Sequence, residues 1–122
     1  MIHGFDTQTE SLTDYEKETL IPVIIRGLEV KVGKSKAVTN KYIVKMLKGT
    51  YKVSEARIRK VINYIRTHDL IPCLIADSDG YYIAESNQEV KDYEQSLLGR
   101  ESAIHEVRTA ITRQRVLRYG NE

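Results

Sequence analysis

Between Lys34 and Arg66 stand ten basic residues (Lys34, Lys36, Lys41, Lys45, Lys48, Lys52, Arg57, Arg59, Lys60 and Arg66) and one acid, Glu55. That stretch carries +9 while the whole chain of 122 residues carries +2, so the remainder is −7. Charge segregated this strongly marks a surface built to sit beside something negative. Lysines at such positions suit phosphate contacts, which hold a protein in place without reading sequence. Arginine and lysine can also donate to guanine O6 and N7, and an asparagine can pair with adenine, so base reading is within the same segment's chemistry.

Other chemistries find less support. Gly33-Lys34-Ser35 imitates the end of a phosphate-binding loop, but that motif needs glycine at position 28, where Leu28 stands, and no strand precedes it. His3, His68, His105 and Cys73 lack the spacing of a metal site. No nucleophile, base and orienting group come together as a catalytic set. The expectation is a protein that is not an enzyme and uses neither cofactor nor metal. A single cysteine excludes an internal disulfide, and Cys73, within the apolar run 71–75, reads as a small buried thiol. No apolar stretch approaches the roughly 18 residues of a membrane span, and the start, Met1-Ile2-His3-Gly4-Phe5-Asp6, does not read as a signal peptide. The expected compartment is the cytoplasm.

Short helices must position the basic segment. Residues 1–12 are polar and aperiodic and read as a flexible N-terminal arm. Thr13 and Glu16 form a capping-box pattern, after which Leu20, Val23, Ile24 and Leu28 share one face. Pro22 must kink or restart that helix, and Gly33 reads as its terminator. Thr39-Asn40 signals a second helix, with Tyr42, Ile43, Met46 and Leu47 at helical spacing and Gly49 as the stop. Ser54 caps a third, whose Ile58, Val61, Ile62 and Ile65 fall at i, i+3, i+4 and i+7. Two short helices joined by a tight connection, with an earlier helix to pack on, predict a helix-turn-helix unit.

The period then changes. Residues 71–76 form an apolar run, Asp77-Ser78-Asp79-Gly80 is turn chemistry, and Tyr81-Tyr82-Ile83-Ala84 is β-prone. A hairpin this small is marginal alone and must lean on the helices. The predicted fold is mostly α with a small β-hairpin: a winged helix-turn-helix, three helices plus a wing, over residues 13–86. Asn87 reads as the cap of a last helix over 87–122. Its Val90, Leu97, Ile104 and Ile111 recur every seven residues, with Tyr93 and Val107 three after Val90 and Ile104. This is an a/d seam interrupted by Arg100 and Gln114, with Ala103 and Ala110 beside it and a basic end, from Arg113, that reads as frayed. A seam over three repeats points to homodimerisation through Val90, Tyr93, Leu97, Ile104, Val107 and Ile111; folding back on the chain's own core is the alternative.

Residues 53–66, Val53-Ser54-Glu55-Ala56-Arg57-Ile58-Arg59-Lys60-Val61-Ile62-Asn63-Tyr64-Ile65-Arg66, resemble the third helix of small winged-helix proteins encoded in bacteriophage and prophage gene sets. Residues 71–76 and 80–84 resemble their wing. The resemblance runs from about Leu12 to Gln114 and rests on pattern. It implies DNA binding in a regulatory or replication-associated role, and no particular operator.

The site expectations follow from helix geometry. With its apolar stripe inward, the third helix turns Ala56, Lys60, Asn63 and Thr67 outward, with Arg57 and Tyr64 to one side and Arg59 to the other. A helix of this diameter fits the major groove. Ser54 leaves amides that favour a phosphate, and Lys34, Lys36, Lys41, Lys45, Lys48 and Lys52 suit the backbone. The expected function is sequence-specific binding of double-stranded DNA, as a transcriptional regulator or replication accessory of phage type. The alternative is a protein-interaction module whose basic face meets an acidic partner. The wing tip favours that alternative, because phosphates repel Asp77 and Asp79, although both also suit the turn itself.

Overall fold

The computed structural model describes residues 11–120. The expected arm therefore lies outside the described residues except for Ser11 and Leu12. Leu12 corrects that expectation: it is 8% exposed and belongs to the hydrophobic core. The chain divides into two compact units, Met1–Glu85 and Ser86–Glu122.

In the first unit the capping box forms as its spacing requires. The Glu16 amide donates to Thr13 Oγ1 at 3.1 Å, and the Thr13 amide donates to the Glu16 carboxylate at 2.9 Å. A π-helical turn, Glu16–Leu20, then leads into α1, Ile21–Leu28. In that wide turn the Ile21 amide reaches back five residues to the Glu16 carbonyl, and Pro22, which has no amide to give, falls in the first turn of α1. The proline thus restarts the helix. Leu20, Ile24 and Leu28 are buried and Val23 is half-buried. Gly33 is not the terminator, since α1 ends at Leu28. The Gly33 amide is instead held by the Ile83 carbonyl at 2.9 Å, and at φ +98° Gly33 opens a 3-10 turn, Lys34–Lys36.

Helix α2, Asn40–Leu47, begins at Thr39, whose hydroxyl accepts the Tyr42 amide at 3.1 Å. Its expected stripe holds only in part. Ile43 is buried and Leu47 half-buried, but Tyr42 and Met46 are exposed. A helix of two turns can bury only one narrow face, and Val44 rather than Tyr42 or Met46 flanks Ile43 and Leu47 on it. Tyr42, Met46, Val23 and Val30 instead line an apolar groove of about 270 Å³ between α1 and α2. The connection to α3 is longer than the tight turn expected. Residues 48–54 intervene, and Tyr15 Oη accepts the Lys52 amide at 2.9 Å.

Helix α3, Glu55–Thr67, is capped by the Ser54 hydroxyl, which accepts the Arg57 amide at 3.1 Å. Ile58, Val61, Ile62 and Ile65 are at most 1% exposed and form the centre of the core. Each such side chain contributes about 1.5–3 kcal/mol by leaving water.

The strands β1, Leu74–Asp77, and β2, Gly80–Ile83, pair antiparallel, with Leu74 opposite Ile83 and Asp77 opposite Gly80. Val38, just before α2, exchanges two hydrogen bonds with Tyr81, at 3.1 and 2.7 Å, so the hairpin is tied to the helices. Leu74 joins the hydrophobic core, and Ile75 with its cross-strand partner Tyr82 is buried on the other face of the hairpin.

β1 starts later than residue 71, because Pro72 has no amide for a ladder and Cys73 sits at φ +63°. That backbone turns Cys73 out. It is exposed, and the reading of a buried thiol is corrected. The expected result is that a colourless-to-yellow aromatic disulfide reagent titrates about one thiol per folded chain without denaturant; reaction only after unfolding would contradict the placement.

Helix α4, Asn87–Tyr119, forms the second unit. Its N-cap is Ser86 and not Asn87: the Ser86 hydroxyl accepts the Glu89 amide at 3.1 Å, which makes Asn87 the first helical residue. The basic end does not fray, and the helix runs through Arg113, Arg115 and Arg118 to Tyr119. Among the described residues no helix is long and apolar enough to cross a membrane.

Candidate nucleic-acid interface

The basic segment forms the 3-10 turn, α2, the connection and α3, and its charges meet different fates. Glu16, 3% exposed, is the one buried acid among the described residues. Arg57 Nε donates to one of its carboxylate oxygens at 2.8 Å, and Lys60 Nζ lies 3.0 Å from the other. Burial alone would raise this carboxyl. The Thr13 amide, Lys60 and Arg57 outweigh it and hold the pKa at about 2, against an ordinary 4.5. Arg57 is further fixed by the Lys52 carbonyl at 3.1 Å and by the Tyr15 ring, whose centroid is 5.0 Å from the guanidinium carbon. Two expected DNA contacts are thus turned toward the start of the first helix. Lys60, predicted outward, has a side chain only 19% exposed.

Thr67 is exposed, as expected, and Tyr64 is half-buried; both are engaged by neighbours on their own helix. Tyr64 stacks on His68 with ring centroids 3.8 Å apart, and the Thr67 hydroxyl donates to the Asn63 carbonyl at 3.0 Å. Both line a cleft of about 290 Å³ with Leu12, Lys17 and His68. Asn63 stands on its rim and is exposed.

On α3 the exposed residues are Glu55, Ala56, Arg59, Asn63 and Thr67, with Ser54 exposed at the cap. Arg59 has a side chain 60% exposed and sits only 3.9 Å from Glu55, a weak i,i+4 pair. Arg66, seven residues further along, was outside the expected set. Arg59 and Arg66 both act on the Tyr81 phenol, whose pKa burial raises and these two cations pull back. The spacing of Arg66 from Arg59, two helical turns, was the available signal. Lys41, Lys45 and Lys48 follow one another at i, i+4 and i+7 and are exposed, as are Lys36 and Lys52.

One side chain registers these parts. Asn40 Nδ2 donates to the Glu55 carbonyl at 2.9 Å, and Tyr81 Oη donates to Asn40 Oδ1 at 3.1 Å. The starts of α2 and α3 and the second strand thus meet at Asn40.

The acidic hairpin tip is occupied by its own turn. Asp77 accepts the Asp79 amide at 2.8 Å and the Tyr82 hydroxyl at 3.0 Å. Lys34 Nζ lies 3.2 Å from Asp79 and 4.0 Å from Asp77. Lys34 is therefore engaged at the tip, which weakens its expected role as a phosphate contact. Among the described residues no three His, Cys, Asp or Glu side chains gather as a metal site.

No protein-family model, curated protein or solved structure matches this chain.

Proposed function

We propose that this chain is a winged-helix protein that binds double-stranded DNA site-specifically, as a transcriptional regulator or replication accessory of the phage type. The observation that carries the reading is the ten-to-one excess of basic residues between Lys34 and Arg66. Even with Lys34, Arg57 and Lys60 engaged by acids, Arg59 and the lysines of α2 stay exposed. The order of helices and hairpin, with Val38 joined to the second strand, supports a wing beside α3. In this reading α3 enters the major groove with Arg59 and Asn63 over the bases. Lys41, Lys45, Lys48 and Lys52 hold phosphates.

A mobility-shift titration at graded salt tests it. Contacts to about three to six phosphates give log K a slope of roughly −3 to −5 against log salt. Arg59→Ala is expected to cost about 1–3 kcal/mol and to relax preference at particular base pairs, while Lys45→Ala weakens all duplexes alike. An affinity that does not change with salt would remove the DNA reading.

A second reading, an interaction module for an acidic protein, is favoured by the exposed groove of Tyr42, Met46 and Val30 beside the basic face. The wing tip no longer favours it, because Lys34 and the turn satisfy Asp77 and Asp79. Under this reading no duplex shifts at any salt.

A further inference from the structure

Helix α4 is 33 residues long and contains no buried residue. Leu97, Ile104, Val107 and Ile111 lie between 40% and 62% exposed along one seam. Four aliphatic side chains in a row leave an apolar strip that water disfavours. Charge along the same helix is unevenly placed. Its start carries Glu89, Asp92 and Glu94 against Lys91, whereas residues 107–119 carry Arg108, Arg113, Arg115 and Arg118 and no acid.

We propose that α4 pairs with α4 of a second copy of this chain, antiparallel, about a two-fold axis near Ser102. The argument is complementarity. Only an antiparallel pair lays the acidic start of one helix along the basic end of the other, and it also opposes the two helix dipoles. Facing a against d positions about that axis sets Leu97 opposite the partner's Val107, Tyr93 opposite the partner's Ile111, and Ile104 opposite the partner's Arg100. The interface is self-complementary, as a two-fold requires. Glu94 and Arg108, both at the flanking e position, become neighbours across the pair. On the other flank Ser96, Ala103 and Ala110 are small and let the backbones approach. A parallel pair does the reverse. It places Glu89 beside the partner's Glu94 and Arg100 against the partner's Arg100.

The pairing is independent of the DNA reading and is tested without DNA. Light scattering of the full chain at about 100 μM is expected to give a dimer that Leu97→Glu converts to a monomer, because it sets a carboxylate against the partner's Val107, with no cation opposite, inside the seam. Orientation is read by a spin label on Gln88→Cys in a Cys73→Ser background. The two labels fall about 28 residues apart along the axis, roughly 40 Å at 1.5 Å per residue. Exposed charge variants guard against misfolding: Glu94→Arg is expected to weaken the dimer about fivefold, and adding Arg108→Glu to restore it. A monomeric wild type, a dimer that survives Leu97→Glu, a label separation under about 20 Å, or no rescue by the second charge change would each overturn the proposal.

Discussion

Glu16→Ala is expected to lower the melting temperature of the first unit by roughly 10–20 °C, the largest effect of any polar substitution in it. Glu16 is 3% exposed and closes three connections at once: the cap on Thr13, the guanidinium of Arg57 and the ammonium of Lys60. Removing the acid strands two cations whose side chains are only 27% and 19% exposed. Stranding a buried charge costs about 3–5 kcal/mol; Arg57 and Lys60 can partly swing into water, so about 3 kcal/mol is expected. The same site predicts the acid limb of stability. The folded pKa is depressed from 4.5 to about 2, so the contribution is complete above the unfolded value and is lost as pH falls between those two values. Its size is on the order of 3 kcal/mol, at 1.4 kcal/mol per pH unit. Urea melts at pH 7, 4 and 3 check it. Wild type should lose stability over that range faster than Glu16→Gln, and parallel curves would contradict the assignment.

Gly80→Ala is expected to destabilise the first unit by about 3–5 kcal/mol and to detach the hairpin. Two constraints meet at this residue. Its φ is +117°, which costs a residue with a Cβ about 1–2 kcal/mol. A Cβ there would also lie 2.3 Å from the Val38 carbonyl oxygen and 2.9 Å from the Thr39 nitrogen, both backbone atoms that cannot rotate away. Relieving that clash means breaking the Val38–Tyr81 pair that holds the hairpin to the start of α2. Gly49→Ala is the control. Its φ is +101° but open space surrounds it, so only the torsional cost of about 1–2 kcal/mol applies. Equal losses in the two variants, measured by chemical denaturation, would show that the close approach does not matter.

The helices were legible because their signals are local. Thr13, Thr39 and Ser54 each hold an amide three residues on, and the stripe of Ile58, Val61, Ile62 and Ile65 needs only the helical period. The charged surface was less legible, because the partners lie far apart in sequence. Nothing near Arg57 or Lys60 reveals an acid some forty positions earlier, and nothing near Lys34 reveals the aspartates of the turn. An outward position on an ideal helix is outward only until another element packs there. Cys73 differs for a related reason: an apolar run suits a strand, but Pro72 cannot start the ladder and Cys73 stands in the left-handed region. Tyr42 and Met46 satisfied the helical period but exceeded what a helix of eight residues can bury.

Asn40 has a mechanical consequence. Its amide uses both ends, gripping the first carbonyl of α3 and the hydroxyl of Tyr81 on the second strand. A tilt of α3 therefore pulls on the hairpin, and a push on the hairpin reaches α3, with Val38 as a second tether. A ligand touching α3 and the hairpin meets a pre-assembled grip and loses little to ordering it. The same stiffness removes tolerance. Were the proposed duplex that ligand, sites of altered spacing would have to deform themselves to fit, and discrimination would come as much from their shape and bendability as from the atoms they display.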